Sequence, residues 1–359
     1  MIQFLFIFFF PFLLYSYNYN QSKIINLAIQ NNLYQNITFK NLLFYRNGEF
    51  YIKDNQFYLS NKRNLKSELI SDIKGFFKNK NQFKNINNHP QCRFPARFFF
   101  LKKELNISDK IFPKIKCQSF QEYKNKAPAD KIYMVFASAN LKDPSSMMGH
   151  TFFKFEGKNY KNKIVTHAVS FYTFINSMNP FKLLYENIFP GMDGFFVLNP
   201  YKNVLYNYLE NENRNIWEYK LNLTNYQKKF IYYHIWELKD IKMRYYFTSF
   251  NCSTVDLFIV SIIKPSLLND YKYYITPLDL MKIMKKNNLL RQGKLLPSDE
   301  WFIKLIESQL SFTTIYKIKN YVQDGNVKKL SKFKKFYAKL LIEVYSLYLE
   351  KQNKISKKI

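Results

Sequence analysis

Apolar positions along the chain change period twice. From Ser22 to about Lys126, Ile24, Leu27 and Ala28, and then Leu65, Leu69, Ile73 and Phe76, recur at three- and four-residue spacing, which predicts a mainly helical region. From Ile132 the texture shifts to short runs rich in Val, Phe and Tyr. Those at Ile132 to Ala139, His150 to Phe155, Ile164 to Phe171, Gly194 to Leu198 and Ile216 to Leu221 read as strands. Turn signals separate them at Asp143-Pro144, Gly157-Lys158-Asn159 and Pro190-Gly191-Met192-Asp193-Gly194. Helical spacing returns at Thr224, which with Gln227 fits a capping box, and Phe230, His234 and Leu238 then lie four apart. A second helix follows Cys252, with Val255, Phe258, Ile259 and Ile262 on its apolar face and Pro265 as its stop. Beyond Pro277 the pattern stays helical, ending in an amphipathic, Lys-rich stretch from about Lys332 to Glu350. The segment around Cys92-Arg93-Phe94-Pro95-Ala96-Arg97, preceded by Pro90, reads as a fixed loop.

This order of elements predicts an α+β fold with an antiparallel sheet: a helical cap over 17–129, a core over 130–277 and a helical basic extension over 278–359. Ahead of the cap, Phe4 to Leu14 is an apolar run of signal-peptide length, too short to span a bilayer comfortably. Met1-Ile2-Gln3 lacks the usual basic residue, so residues 1–16 read as an export signal or a retained N-terminal anchor. A hydrophobic share of 47% excludes a disordered chain. The net charge of +29 invites a nucleic-acid reading, but the lysines are spread along the whole chain with no zinc-finger spacing or phosphate-binding loop. A basic surface that touches anionic lipid headgroups fits this spread better.

Three cysteines make an odd count. If the chain is exported, Cys92 pairs with Cys117 and Cys252 stays free; if it is not, all three are separate thiols. A bridge closing 25 residues stabilises by roughly 3 kcal/mol on the chain-entropy estimate. Cys252 sits where an aromatic run, Tyr245 to Phe250, turns into an apolar helix, and a helix start favours a thiolate. His150, delivered by a turn-rich loop after Gly149, is the candidate base for that thiol. Asn251 is an N-cap by type whose amide also suits an oxyanion, and Ser253 adds a neighbouring donor. His89 and His234 have no partner at metal-ligand spacing, so neither metal nor other cofactor is expected. Arg93, Arg97 and Arg214 read as internal ion-pair residues.

Cys92 to Arg97, Pro144 to Phe153, Gly191-Met192-Asp193-Gly194-Phe195-Phe196, Glu212 to Tyr219 and Tyr245 to Ser253 occur in the order found in the Lnb N-terminal periplasmic domain family, which this chain resembles over roughly Pro90 to Pro277. That family is grouped with the permuted papain-like thiol domains of the NlpC/P60 superfamily, including the lecithin:retinol acyltransferase-like group. The resemblance implies a circularly permuted papain-like core in which the histidine strand precedes the cysteine helix. It implies Cys252 as nucleophile, His150 as base and His167 as a third group orienting the His150 ring. It further implies a periplasmic or envelope enzyme that moves a phospholipid acyl chain to the amino group of a lipoprotein through a Cys thioester. The wider superfamily suggests instead an amidase or peptidase acting on cell-wall peptides, and a non-catalytic envelope scaffold is the remaining reading.

Overall fold

A computed structural model describes residues 20–140, 147–173, 185, 191–271 and 274–354. The proposed signal segment, the Asp143-Pro144 turn and Pro190 lie outside these residues. The chain divides into two compact units: residues up to 135, 150–201 and 219–292 form the first, and 136–149, 202–218 and 293 onward form the second.

The first unit holds the N-terminal helices and most of an antiparallel sheet. A small hairpin, β1 (Tyr45–Arg46) and β2 (Glu49–Phe50), stands apart. The main strands are β3 (Lys131–Ala137), β4 (His150–Lys158), β5 (Ile164–Thr173), β6 (Met192–Pro200), β7 (Ile216–Leu221), β8 (Met243–Tyr245) and β9 (Leu290–Leu296). Their order in the sheet is β8-β6-β5-β4-β3-β7-β9. β4 lies at its centre, where Phe152, Phe153 and Phe155 are all fully buried, so apolar groups cover both of its faces.

Helices α1 (Leu65–Phe76), α2 (Pro95–Glu104), α3 (Asn225–Glu237), α4 (Cys252–Ser261) and α5 (Pro277–Lys286) complete the layer that positions the site. Thr224 and Gln227 close the capping box that starts α3. α2 lies against α3, with Phe99 stacked on Tyr226 at 4.9 Å. α4 packs on β4 and β5 on one side; on the other, Phe44 stacks on Phe258 at 5.1 Å and the Asn41 amide donates to the Ser261 carbonyl at 3.1 Å. Every residue of α4 is therefore buried. Cys92 and Cys117 form a disulfide.

Two expectations change. The segment around Cys92 is not a loop: Pro90 opens a short helix through Arg93, and Pro95 opens α2. A proline suits a helix's first turn because its missing N–H would have no intrahelical acceptor there. The stretch after Pro277 is not all helical, since it contains β9, an edge strand whose mostly exposed residues carry no apolar alternation.

The second unit has α6 (Asp299–Glu307), α7 (Phe312–Gln323) and α8 (Phe336–Lys351) packed around Ile303, Ile306, Ile318, Val322, Leu341 and Leu349. Arg214 belongs to this unit; it pairs with Glu212 at 2.8 Å and donates to the Ser138 carbonyl at 2.6 Å.

Candidate active site

Cys252 is the first residue of α4 and the free cysteine among the described residues. Asn251 caps the helix, its side-chain oxygen accepting from the Thr254 N–H at 3.1 Å. Its amide donates to the Phe247 carbonyl at 3.1 Å and the Ile275 carbonyl at 3.0 Å, so both of its N–H groups are engaged. Asn251 thus fixes the loop and the helix start, and the oxyanion role expected for it does not hold. The Cys252 side chain is 3% exposed, with Sγ 3.8 Å from Ser253 Oγ.

Two further groups crowd the thiol. Tyr245, the last residue of β8, hydrogen-bonds Cys252; burial first, and then the Cys252 charge, push its phenol well above its ordinary value. A phenol that keeps its proton donates to a thiolate. Asp256 lies one turn along α4 and is fully buried. Burial, then the Cys252 charge, push its carboxyl well above the usual carboxylate range, while a hydrogen bond from Thr151 opposes the shift.

Thr151 also links strand to helix, its hydroxyl lying 3.4 Å from Ser253 Oγ. The residue after the histidine therefore meets the residue after the cysteine. Along β4, Thr151 reaches α4, and Phe155 lies 5.2 Å from Tyr232 of α3, so odd positions face the helices. His150 stacks on Phe152 at 5.8 Å and on Tyr172 of β5 at 5.1 Å, and Phe152 approaches Tyr201, so even positions face the other side. The His150 ring rests on Tyr172 rather than pointing along the Thr151 direction to the thiol.

Residues 119–287 match the family described as the Lnb N-terminal periplasmic domain. This segment belongs to that family. Residues 31–104 match a domain of unknown function (DUF7843). No curated protein and no solved structure matches the chain. The description of the Lnb N-terminal domain points to the periplasm, and among the described residues no helix is long and apolar enough to cross a membrane.

Within the Lnb segment, His167 does not take the orienting role expected of it. It pairs in register with Phe155 of β4, five residues from His150, which is about 17 Å along the strand. An odd spacing also turns it to the opposite face. Burial, then Lys126, lower its pKa, and its buried Nδ1 meets no hydrogen-bond partner among the described residues. Gly149 is constrained by its backbone: φ is +86°, and a Cβ would stand 2.7 Å from the Ala137 oxygen.

Sequence reasoning missed Tyr245, Thr151 and Asp256. The available signal was a single carboxylate four residues after Cys252 in an otherwise apolar helix, a spacing that puts both on one face. Because the Asp256 pKa is raised by folding, the native state keeps a proton that the unfolded chain loses above about pH 4. Stability then falls as pH rises, by up to about 1.4 kcal/mol per unit. Asp256→Asn keeps the shape without that cost. It should melt at or above the wild-type temperature at pH 8, with the gap closing towards pH 4. Thermal denaturation at several pH values checks this, and a gap that widens on acidification contradicts it.

Proposed function

We propose that the Lnb segment is a thiol acyltransferase of the cell envelope, acting without metal or cofactor on a phospholipid donor. The observation that carries the reading is the state of Cys252: an unbridged thiol at the first position of a capped helix, hydrogen-bonded by a phenol that stays protonated. The finer parts rest on the family resemblance, namely the permuted papain-like core and a lipoprotein amine as acceptor.

In the proposed reaction the Cys252 proton passes to a base, the role that the family resemblance gives to His150. The thiolate attacks the ester carbonyl, with the positive end of the helix facing the developing oxyanion. The ester C–O bond breaks, the proton passes from His150 to the departing alkoxide, and the acyl group remains as a thioester. A free amine then attacks the thioester. His150 takes the amine proton and returns it to the sulfur, giving an amide and the original thiol.

Protein mixed with phospholipid alone should accumulate an acyl group on Cys252, visible by mass spectrometry as a hydroxylamine-labile adduct on the peptide carrying that residue. Absence of the adduct together with cleavage of wall peptides would move the activity to amide hydrolysis.

A further inference from the structure

Helices α6, α7 and α8 of the second unit present an unusual end. At the start of α6, Glu300 accepts from the Tyr348 hydroxyl at 3.1 Å and Asp299 pairs with Lys351 at 2.8 Å, both near the end of α8, so α6 and α8 run antiparallel. In the second half of α7, Gln323 donates to the Tyr345 hydroxyl at 3.1 Å, Lys319 lies 5.3 Å from the same ring, and Tyr321 lies 6.4 Å from Phe333 just ahead of α8, so this half of α7 packs across α8. α6 ends at the 308–311 turn that leads into α7, and α8, antiparallel to α6, begins towards that same end of the bundle.

That end carries Phe312 at 81% exposure, Phe336 at 71% and Tyr337 at 44%, three aromatic rings left in water, while Leu305, Tyr316 and Leu347 are exposed elsewhere on the same helices. Interleaved with them are exposed Lys334, Lys335 and Lys339. The nearby carboxylate of Glu307 is already paired with Lys319 at 2.5 Å. Aromatic rings flanked by unneutralised lysines match the two layers of a bilayer surface, rings at the acyl boundary and ammonium groups among phosphates. A nucleic acid would use the lysines but would not require apolar side chains at the tip.

We infer that this end of the α6–α8 bundle docks on anionic lipid bilayers. The surface lies outside the thiol site, and the inference does not depend on Cys252 being reactive. The test is co-sedimentation of the full chain with vesicles of phosphatidylcholine alone and with about one third phosphatidylglycerol. Binding should require the anionic lipid and weaken with added salt. Lys334→Glu/Lys335→Glu and, separately, Phe312→Ser/Phe336→Ser should each lower the partition coefficient at least about tenfold, with unchanged melting temperature because all four side chains are exposed. Cys252→Ala should bind as the wild type does, which separates failure of docking from failure of the chemistry. Equal binding to both vesicle types, or wild-type binding by either double variant, overturns the inference. So does association with duplex DNA but not with vesicles.

Discussion

Alanine at Cys252 should abolish acyl transfer, lowering kcat by roughly 10⁴-fold or more, because it removes the proposed nucleophile that carries the acyl chain. The substitution removes one sulfur from a buried position, so the protein should still fold and accumulate, and loss of activity is then a loss of chemistry. Neighbouring substitutions should fall into a ranked series. His150→Ala should cost about a hundred- to ten-thousand-fold and flatten the acid limb of the pH–rate profile, since the group receiving the thiol proton is gone. Tyr245→Phe should cost only about ten- to a hundred-fold, the worth of one hydrogen bond to a charged acceptor, and should raise the pH at which the thiol reacts with an alkylating reagent. A Cys252→Ala chain that fully complements a deletion strain would make this domain a scaffold, with the buried thiol only a core residue. If Cys252→Ala is inactive but His150→Ala keeps wild-type kinetics, the thiol chemistry stands and the base lies elsewhere.

How far these roles could be read from sequence depends on what each residue's neighbours do. Strand β7 was legible because Ile216–Leu221 is half buried and its sequence shows it, and α3 because Thr224 and Gln227 announce its start. β9 was not, since Leu290–Leu296 lies at a sheet edge with Arg291, Gln292 and Lys294 in solvent, leaving no period to detect. β8 is three residues that end on the first residue of an aromatic run, too short to establish alternation. Cys252 and Asn251 were legible as a helix start because capping is local chemistry. The directions of His150 and His167 were not. A histidine's face depends on strand register, and one residue of offset reverses it. Tyr245 and Asp256 matter through contact with Cys252, and that contact exists only once β8 and α4 have met.

The helix layer that holds Cys252 is itself pinned by one buried cation, and removing it should cause the largest loss of stability. Arg97 is fully buried on α2. Its Nη1 donates to Glu68 at 2.8 Å and Asp72 at 3.3 Å on α1, and its Nη2 to the Phe57 carbonyl at 2.5 Å. Its backbone N–H donates to Glu237 of α3 at 2.9 Å, and Glu237 in turn holds His234 Nδ1 at 3.1 Å. The guanidinium also lies 4.2 Å from the Phe94 ring centre and 4.5 Å from that of Phe57. Arg97→Ala leaves Glu68 and Asp72 buried without their counter-ion, which costs about 3–5 kcal/mol and is a large share of a domain's usual stability. The loss should depend on pH in a fixed sense. Burial already pushes the Asp72 carboxyl well above its ordinary value while Arg97 pulls it down, so removing Arg97 raises it further. A raised acid binds its proton in the folded state, and stability is then lost as pH rises through the interval between the unfolded and folded values. Urea unfolding should therefore show the full deficit near pH 7 and a smaller one near pH 5. A deficit that stays the same between pH 7 and pH 5 would mean that Arg97 contributes packing and its bond to the Phe57 carbonyl rather than charge. Because α3 joins α2 to α4, a variant that folds despite the deficit should also lose part of its thiol reactivity, through a loosened Cys252 helix rather than through any change at the sulfur itself.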